Sequence, residues 1–355
     1  MSELQAAVAD LVEGREIAPE RLASALGEVV DGTASPSALG GLLIGLRMRG
    51  ERVDEIVAFA QALRTRATTA SVRDPRTVDT CGTGGSGIDT FNISTAAAFV
   101  VAGAGVSVAK HGNRAASSRT GSFDVLEALG VRIDLPISVC GEILDRVGIA
   151  TFFARTAHPA FKSVAEVRAE LGVRTLLNCL GPLLSPVEAK YQVVGVYEER
   201  LVEPLACALQ ALGAVRALVV HGDDGLDELT TTTTSHGALV SGGIVQALSI
   251  DPEKLGLSKA TLPQLAGGDA DQNAAMVKAV LAGEKGAHRD IVLLNAAAAL
   301  WVVEAVPSIA DGIVRAAQSI DEGAARTKLE ALCTASHAAV ADQASARTQA
   351  EARTA

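Results

Sequence analysis

The segment that most constrains this chain lies between Val78 and Ala104. A short β-prone run, Val78-Asp79-Thr80, passes through a turn with four glycines into an Ala/Val-rich stretch. A strand that enters a glycine turn and leaves as a helix is the repeating unit of a parallel α/β sheet. Gly82, Gly84, Gly85 and Gly87 let the backbone approach a ligand closely and take positive φ. Ser94 and Thr95 stand where the helix is expected to begin and are candidate caps. Free N–H groups and the helix dipole favour an anion at that end, so phosphate or pyrophosphate is the first candidate ligand. A glycine loop alone also fits a plain tight turn, so its meaning depends on the rest of the chain.

Up to about residue 72 the pattern is helical, with runs at Leu4–Leu11, Pro19–Val30, Pro36–Met48 and Val53–Thr65. Gly14, Gly32, Gly40 and Gly50 break or join them, and Ile56, Val57, Phe59, Ala60 and Leu63 fall on one stripe. From Thr77 short strand runs alternate with helical ones. Strands are expected at Val78–Thr80, Val106–Ala109 and Ala217–His221, and helices at Thr95–Ala104, Phe123–Leu129 and Ser163–Leu171. The predicted fold class is α/β: a small all-helical domain plus a large α/β domain with a mostly parallel central sheet. The small domain covers 1–72 and is joined by about 163–188; the large one covers 73–162 and 189–341. The polar stretch 342–355 reads as a flexible tail. In such sheets ligands sit beyond the carboxyl ends of the strands. The glycine loop and the loops after Ala109 and Val220 all occupy that kind of position. Thr230–Thr234 reads as an exposed or edge strand.

Composition removes several function classes. A formal net charge of -10 opposes a nucleic-acid or anionic-membrane binder, which needs excess Lys and Arg. The five cysteines, Cys81, Cys140, Cys179, Cys207 and Cys333, form no C-x-x-C pair, which opposes a disulfide framework or a zinc cluster. Reduced thiols in a cytoplasmic protein fit better. The first residues carry no basic start followed by an apolar core, and runs such as Ala96–Val106 are too short to span a membrane.

Two further loops carry charge. The second, Lys110 to Ser122, holds three cationic side chains, His111, several hydroxyls and two glycines. A solvated loop would explain the charges, but cations beside so many short donors suit a polyanion. The third, His221 to Leu229, holds four carboxylates, with Asp227 and Glu228 the better pair. Carboxylates repel a phosphate unless a divalent cation such as Mg²⁺ lies between them. An acidic surface turn is the plain alternative. No P-loop and no Cys/His/Asp nucleophile arrangement is present, so the chemistry points to positioning and electrostatics.

Read together, GTGGS-G-x-x-TFNIST, KHGNRAASS-x-x-GS, HPAFK with VRAELGVRT, NCLGPLLSP, DGLDE, and GGDADQNA with LLNAAAAL resemble the anthranilate phosphoribosyltransferase family, in order, to about Ala331. The resemblance implies attack of the amino group of anthranilate on 5-phosphoribosyl 1-pyrophosphate (PRPP), the second step of tryptophan biosynthesis. It implies Mg²⁺ and a homodimer formed through the helical domains. Gly82, Gly85, Ser86, Thr90, Asn92, Ile93, Ser94 and Thr95 would lie on PRPP, as would Lys110, His111, Gly112, Asn113, Arg114, Ala115, Ala116, Ser117, Ser118 and Ser122. Ser94, Asp227 and Glu228 would hold Mg²⁺. Gly82, Asn113 and Arg168 would contact anthranilate, with His158, Phe161 and Pro182 lining its approach. Lys110, Asn113 and Arg168 are the implied catalytic residues, and Lys110 would spread the charge developing on pyrophosphate. The family usually has Asp where this chain has Ser86, which implies a shifted Mg²⁺ requirement with activity retained.

Three other readings differ from this one. A pyrimidine nucleoside phosphorylase would carry Lys-x-Ser-Gly where this chain has Lys110-His111-Gly112-Asn113. A non-catalytic nucleic-acid-binding relative is opposed by the net charge, and a paralogue using another aromatic amine differs only in pocket shape. His111 is the one candidate base in these loops, with a structural role as its alternative.

Overall fold

A computed structural model describes residues 1–115, 119–159 and 161–354, and the side chains of all of these except 161–163 and 342–354. The chain opens with helices α1 (Glu3–Val12), α2 (Pro19–Val30), α3 (Pro36–Arg49) and α4 (Val53–Arg64). Ser2 and Gln5 close a capping box on α1, and Pro19 and Pro36 sit at helix starts where a missing N–H costs nothing. The apolar stripe on α4 is buried as its spacing requires, with Ile56, Phe59, Ala60 and Leu63 at most 4% exposed.

Among the described residues seven strands form one sheet: β1 (Val78–Asp79), β2 (Val108–Gly112), β3 (Ile149–Phe153), β4 (Tyr191–Gly195), β5 (Arg216–Gly222), β6 (Ser235–Ser241) and β7 (Ile244–Ile250). Their order is β3-β2-β1-β4-β5-β6-β7. The first five are parallel, and β6 and β7 add an antiparallel hairpin at one edge. The helices between them are α5 (Ile93–Gly103), α6 (Ser122–Ala128), α7 (Ile137–Val147), the short α8 (Ala154–Ala157), α9 (Phe161–Leu171) and α10 (Val202–Ala211). After β7 come α11 (Ala270–Leu281), α12 (Ala287–Val302), α13 (Ile309–Asp321) and α14 (Ala324–Thr354).

Period-two alternation along β5 explains how one sheet joins two cores. Leu218 and Val220 enter the core shared by α5, α11 and α12. Ala217 and Val219 enter the core shared by α10 and the N-terminal helices. Val164, Val167, Leu176 and Leu183 belong to this second core, together with side chains of the N-terminal helices. Leu171 and Val167 lie within 3.9 Å of the Cβ position of Gly40 on α3.

Several elements differ from expectation. β2 begins two residues late and runs on to Gly112, so Lys110 and His111 lie on a strand rather than in a loop. Pairing with β3 explains it, since Lys110, His111 and Gly112 oppose Thr151, Phe152 and Phe153. α5 starts at Ile93 with Asn92 at its cap, so Ser94 and Thr95 belong to the first turn and do not cap it. Thr230–Thr234 forms no strand. Thr230 and Thr231 are fully buried, and the Thr230 hydroxyl donates to Asp224 Oδ2 at 2.7 Å, joined there by Thr232. Such side-chain bonds compete with a strand ladder. The backbone of α14 continues through the stretch read as a tail, to Thr354.

Candidate active site

The glycine loop crosses the carboxyl ends of β1 and β4. Gly84, Gly85 and Gly87 take positive φ, at 66°, 83° and 80°. Gly82 serves a different need. A Cβ there would lie 3.2 Å from Gly195 O and 3.4 Å from Asp227 Oδ2. Thr83 N donates to Gly195 O at 2.8 Å and Tyr197 N to Thr83 Oγ1 at 3.2 Å, which moors the loop to the end of β4. Ser86 Oγ accepts from Ile88 N at 3.5 Å, inside the loop. Thr90 forms a bridge with Ala266. Asn92 Oδ1 accepts from Asn273 Nδ2 at 2.9 Å. Ile93 and Thr95 are buried, at 1% and 0% exposure.

The acid pair faces this loop. Gly195 lacks the Cβ that would strike the Asp227 carbonyl, so the third loop lies directly on β4. Asn295 on α12 holds its far end, accepting from Leu229 N at 3.1 Å and donating to Leu229 O at 2.9 Å. Thr80, Gly82, Ser94, Gly195, Glu228 and Asn295 line one cleft. Burial, with repulsion from Asp227, pushes the Glu228 carboxyl up to about 8, although Lys110 and hydrogen bonds from Ser94 oppose the shift. An acid pair of this kind is short of positive charge. Two carboxylates and a hydroxyl, all oxygen donors, suit a hard cation that also takes phosphate oxygens. No cluster of three or more His, Cys, Asp or Glu among the described residues could hold a metal alone.

Lys110 lies under the loop. It is 3% exposed, and its Nζ donates to Thr80 O at 2.9 Å. Asp79, fully buried on the neighbouring strand, accepts from His111 N at 3.2 Å. Burial raises its carboxyl to about 7, with Lys110 opposing. The folded state therefore holds a proton that the unfolded chain releases near pH 4. Stability from this group is complete below that pH and is lost as pH rises to about 7. Asp79→Asn lacks this loss. Between about pH 5 and pH 8 its stability should change in its favour, relative to the parent, by on the order of 2–3 kcal/mol. Urea unfolding at the two pH values measures this, and parallel pH slopes for both proteins would refute it.

His111 is 2% exposed, with its ring 5.5 Å from that of His158 in an edge contact. Burial, then His158 and Lys110, push it down to about 3, so the ring is neutral and a weak base. The structural role therefore fits it better. Asn113, Arg114 and Ala115 are exposed. Arg114 pairs with Asp124 at 3.4 Å and Glu127 at 3.0 Å instead of standing free. Gly112 gives Ser122 room, because a Cβ there would meet Ser122 Oγ at 2.7 Å. Ala116, Ser117, Ser118 and the Phe161 side chain lie outside the described residues.

On the other flank, Arg168 is half-buried on α9. Desolvation lowers its pKa and nearby Tyr197 opposes this. His158 Nε2 lies 2.7 Å from Leu184 O, and buried Pro182 accepts from Gln192 Nε2 at 2.7 Å. Sequence reasoning gave Arg174 no role. Its guanidinium lies over the Tyr197 ring at 4.4 Å and donates to Gly85 O, joining this flank to the glycine loop. Asp79, Asn273 and Asn295 were equally silent. Each was visible only inside a motif, and none carries a spacing that announces a task.

Two models of the glycosyl transferase family match the chain, the helical bundle domain at residues 5–67 and the a/b domain at 74–326. The anthranilate phosphoribosyltransferase of Anaeromyxobacter dehalogenans strain 2CP-C is 52% identical over 332 residues, covering 94% of this chain and 98% of that protein. The same enzyme of Moorella thermoacetica is 48% identical over 93% of this chain and 97% of its own length. The crystal structure of the Thermus thermophilus enzyme superposes with a TM-score of 0.88 at 42% identity, covering 93% of this chain and 99% of that one. The Saccharomyces cerevisiae enzyme in complex with PRPP and Mg reaches 0.86 at 25% identity, over 94% and 98%.

Proposed function

Because the chain belongs to the glycosyl transferase family and, within it, to the anthranilate phosphoribosyltransferases, we propose that its reaction takes place in the cleft between the glycine loop, the loop after β2 and the Asp227-Glu228 pair. The enzyme transfers the phosphoribosyl group of PRPP to the amino group of anthranilate and releases pyrophosphate. One observation carries the placement: Ser94, Asp227 and Glu228 meet beside the glycine loop, above the buried Lys110.

The glycine loop and the first turn of α5 supply N–H groups to the phosphates. Ser94, Asp227 and Glu228 would hold Mg²⁺. A Mg²⁺ ion bound there supplies Lewis-acid stabilisation of the departing pyrophosphate. Lys110 adds a fixed positive charge from below. As the bond between the anomeric carbon and pyrophosphate oxygen lengthens, the ribose gains oxocarbenium character. The anthranilate nitrogen then attacks the opposite face, forming the C–N bond as the C–O bond to pyrophosphate breaks, and the nitrogen gives its extra proton to water. An aromatic amine is neutral near pH 7, so no strong base is required, and His111 offers none. Arg168 pairs with the anthranilate carboxylate.

A fluorescence assay of anthranilate consumption with PRPP and Mg²⁺ tests this function. Folded protein that consumes no anthranilate would overturn it. Arg168→Ala should raise KM for anthranilate by about 10- to 100-fold, the value of a charge-assisted hydrogen bond to a carboxylate. KM for PRPP should stay near the parent value. An unchanged KM for anthranilate would remove Arg168 from that role.

The reading extends to a homodimer formed through the helical domain. Val12 and Met48, at 81% and 84% exposure, leave apolar side chains on its surface, and sedimentation velocity reports the state. Free cysteines at all five positions fit a reducing, cytoplasmic setting, which localisation of a tagged chain checks. No helix among the described residues is long and apolar enough to cross a membrane.

A further inference from the structure

We propose that Asp124 is a positioning residue for the pyrophosphate of PRPP, acting through the stem of the loop that follows β2. This rests on the assignment of that loop to PRPP. Asp124 is the third residue of α6, and its Oδ2 accepts from Gly121 N at 2.9 Å. That bond is an ordinary capping box and serves the helix. The same oxygen also accepts from Ala115 N at 3.0 Å, on the opposite leg of the loop and nine residues away. The second bond does nothing for α6. It ties the two legs together.

Three further contacts close the same stem. Asn113 O accepts from Phe123 N at 3.3 Å and from Ser122 Oγ at 3.4 Å. Asp124 Oδ1 faces Arg114 Nη1 at 3.4 Å. Gly121 packs so closely on Arg114 and Ala115 that a Cβ would overlap their backbone. Asn113, Ala115 and Ser122 are residues expected on the substrate, and all three are placed by this closure. A stem closed before the ligand arrives spares binding the cost of ordering it. A bare carboxylate this near would repel a polyanion, but here two N–H groups and a guanidinium engage it. Asp124 therefore acts on PRPP through the backbone it holds and touches no reacting atom.

Steady-state kinetics of Asp124→Ala test the proposal. KM for PRPP should rise at least about tenfold, as expected for losing two charge-assisted bonds, while KM for anthranilate stays within about twofold. Asp124→Asn keeps an oxygen that can accept both N–H groups and should recover most of the loss. Glu127→Ala removes only the second partner of Arg114 and should leave both constants unchanged. Gly121→Ala spreads the same legs with Asp124 intact and should reproduce the selective rise, so it decides the matter if Asp124→Ala does not fold. An unchanged KM for PRPP, or an equal rise for both substrates, overturns the proposal. Parent protein with no turnover would instead overturn the assigned function.

Discussion

Glu228→Gln should lower kcat/KM by at least about 10³ at every Mg²⁺ concentration, with the thermal midpoint unchanged or raised. The substitution keeps side-chain volume and leaves an oxygen to accept from Ser94. It removes the charge that would ligate the ion, and with it the stabilisation of pyrophosphate, worth several kcal/mol. The stability prediction has its own cause. Burial and repulsion from Asp227 hold the Glu228 acid at about 8, so its charged form is unfavourable there. Near pH 7 folding must therefore protonate this carboxyl or bury its charge beside Asp227, and a neutral amide avoids both costs. Initial rates across a Mg²⁺ titration, paired with thermal unfolding, measure both effects. Retention of activity within about tenfold of the parent would exclude Glu228 as a ligand.

The second large effect is expected at Lys110. Lys110→Met should reduce kcat by about 10²–10³, the usual cost of removing one preorganised charge from a site. Methionine preserves much of the length and volume of the stem inside the buried slot. Lys110 opposes the upward shifts of both Asp79 and Glu228. Without it both acids hold their protons more firmly, and the floor of the cleft loses the Lys110 ammonium. Lys110→Arg should not restore the rate. The planar guanidinium needs more room than a position 3% exposed beneath Thr80 offers. Single-turnover measurements at saturating PRPP separate the chemical step from binding. A rate within about fivefold of the parent in Lys110→Met would show that the charge is structural.

Much of the fold was legible in the chain. The four N-terminal helices fall where periodicity and proline starts put them, and β5 lies on the expected buried run. The turns of the glycine loop were legible because positive φ and close approach are backbone needs that glycine meets locally. Other features were hidden for identifiable reasons. Lys110 and His111 looked like loop residues because charge at a strand end resembles a solvated turn. Only pairing with β3 extends the strand through them. The threonine run looked like a strand because β-branched residues favour one. Asp224, six residues before the run's first hydroxyl partner, captures that hydroxyl instead. Arg174 and Asn295 stood inside motifs, but their tasks were not legible, since their partners are Gly85, Tyr197 and Leu229, far away in sequence.

By itself, the sequence determined which local conformations were available. Glycines mark where the backbone can turn, alternating apolar residues mark faces, and adjacent acids and basic runs mark charge. Tertiary structure alone decided which of these meet. The parallel register of β2, β1 and β4 brings Lys110 beneath Thr80 and sets Gly195 against Asp227. Burial then changes the chemistry of the same residues, raising Asp79 and Glu228 and lowering His111. The reason is that bond rotations are set by neighbours along the chain, whereas desolvation and Coulomb energies depend on neighbours in space.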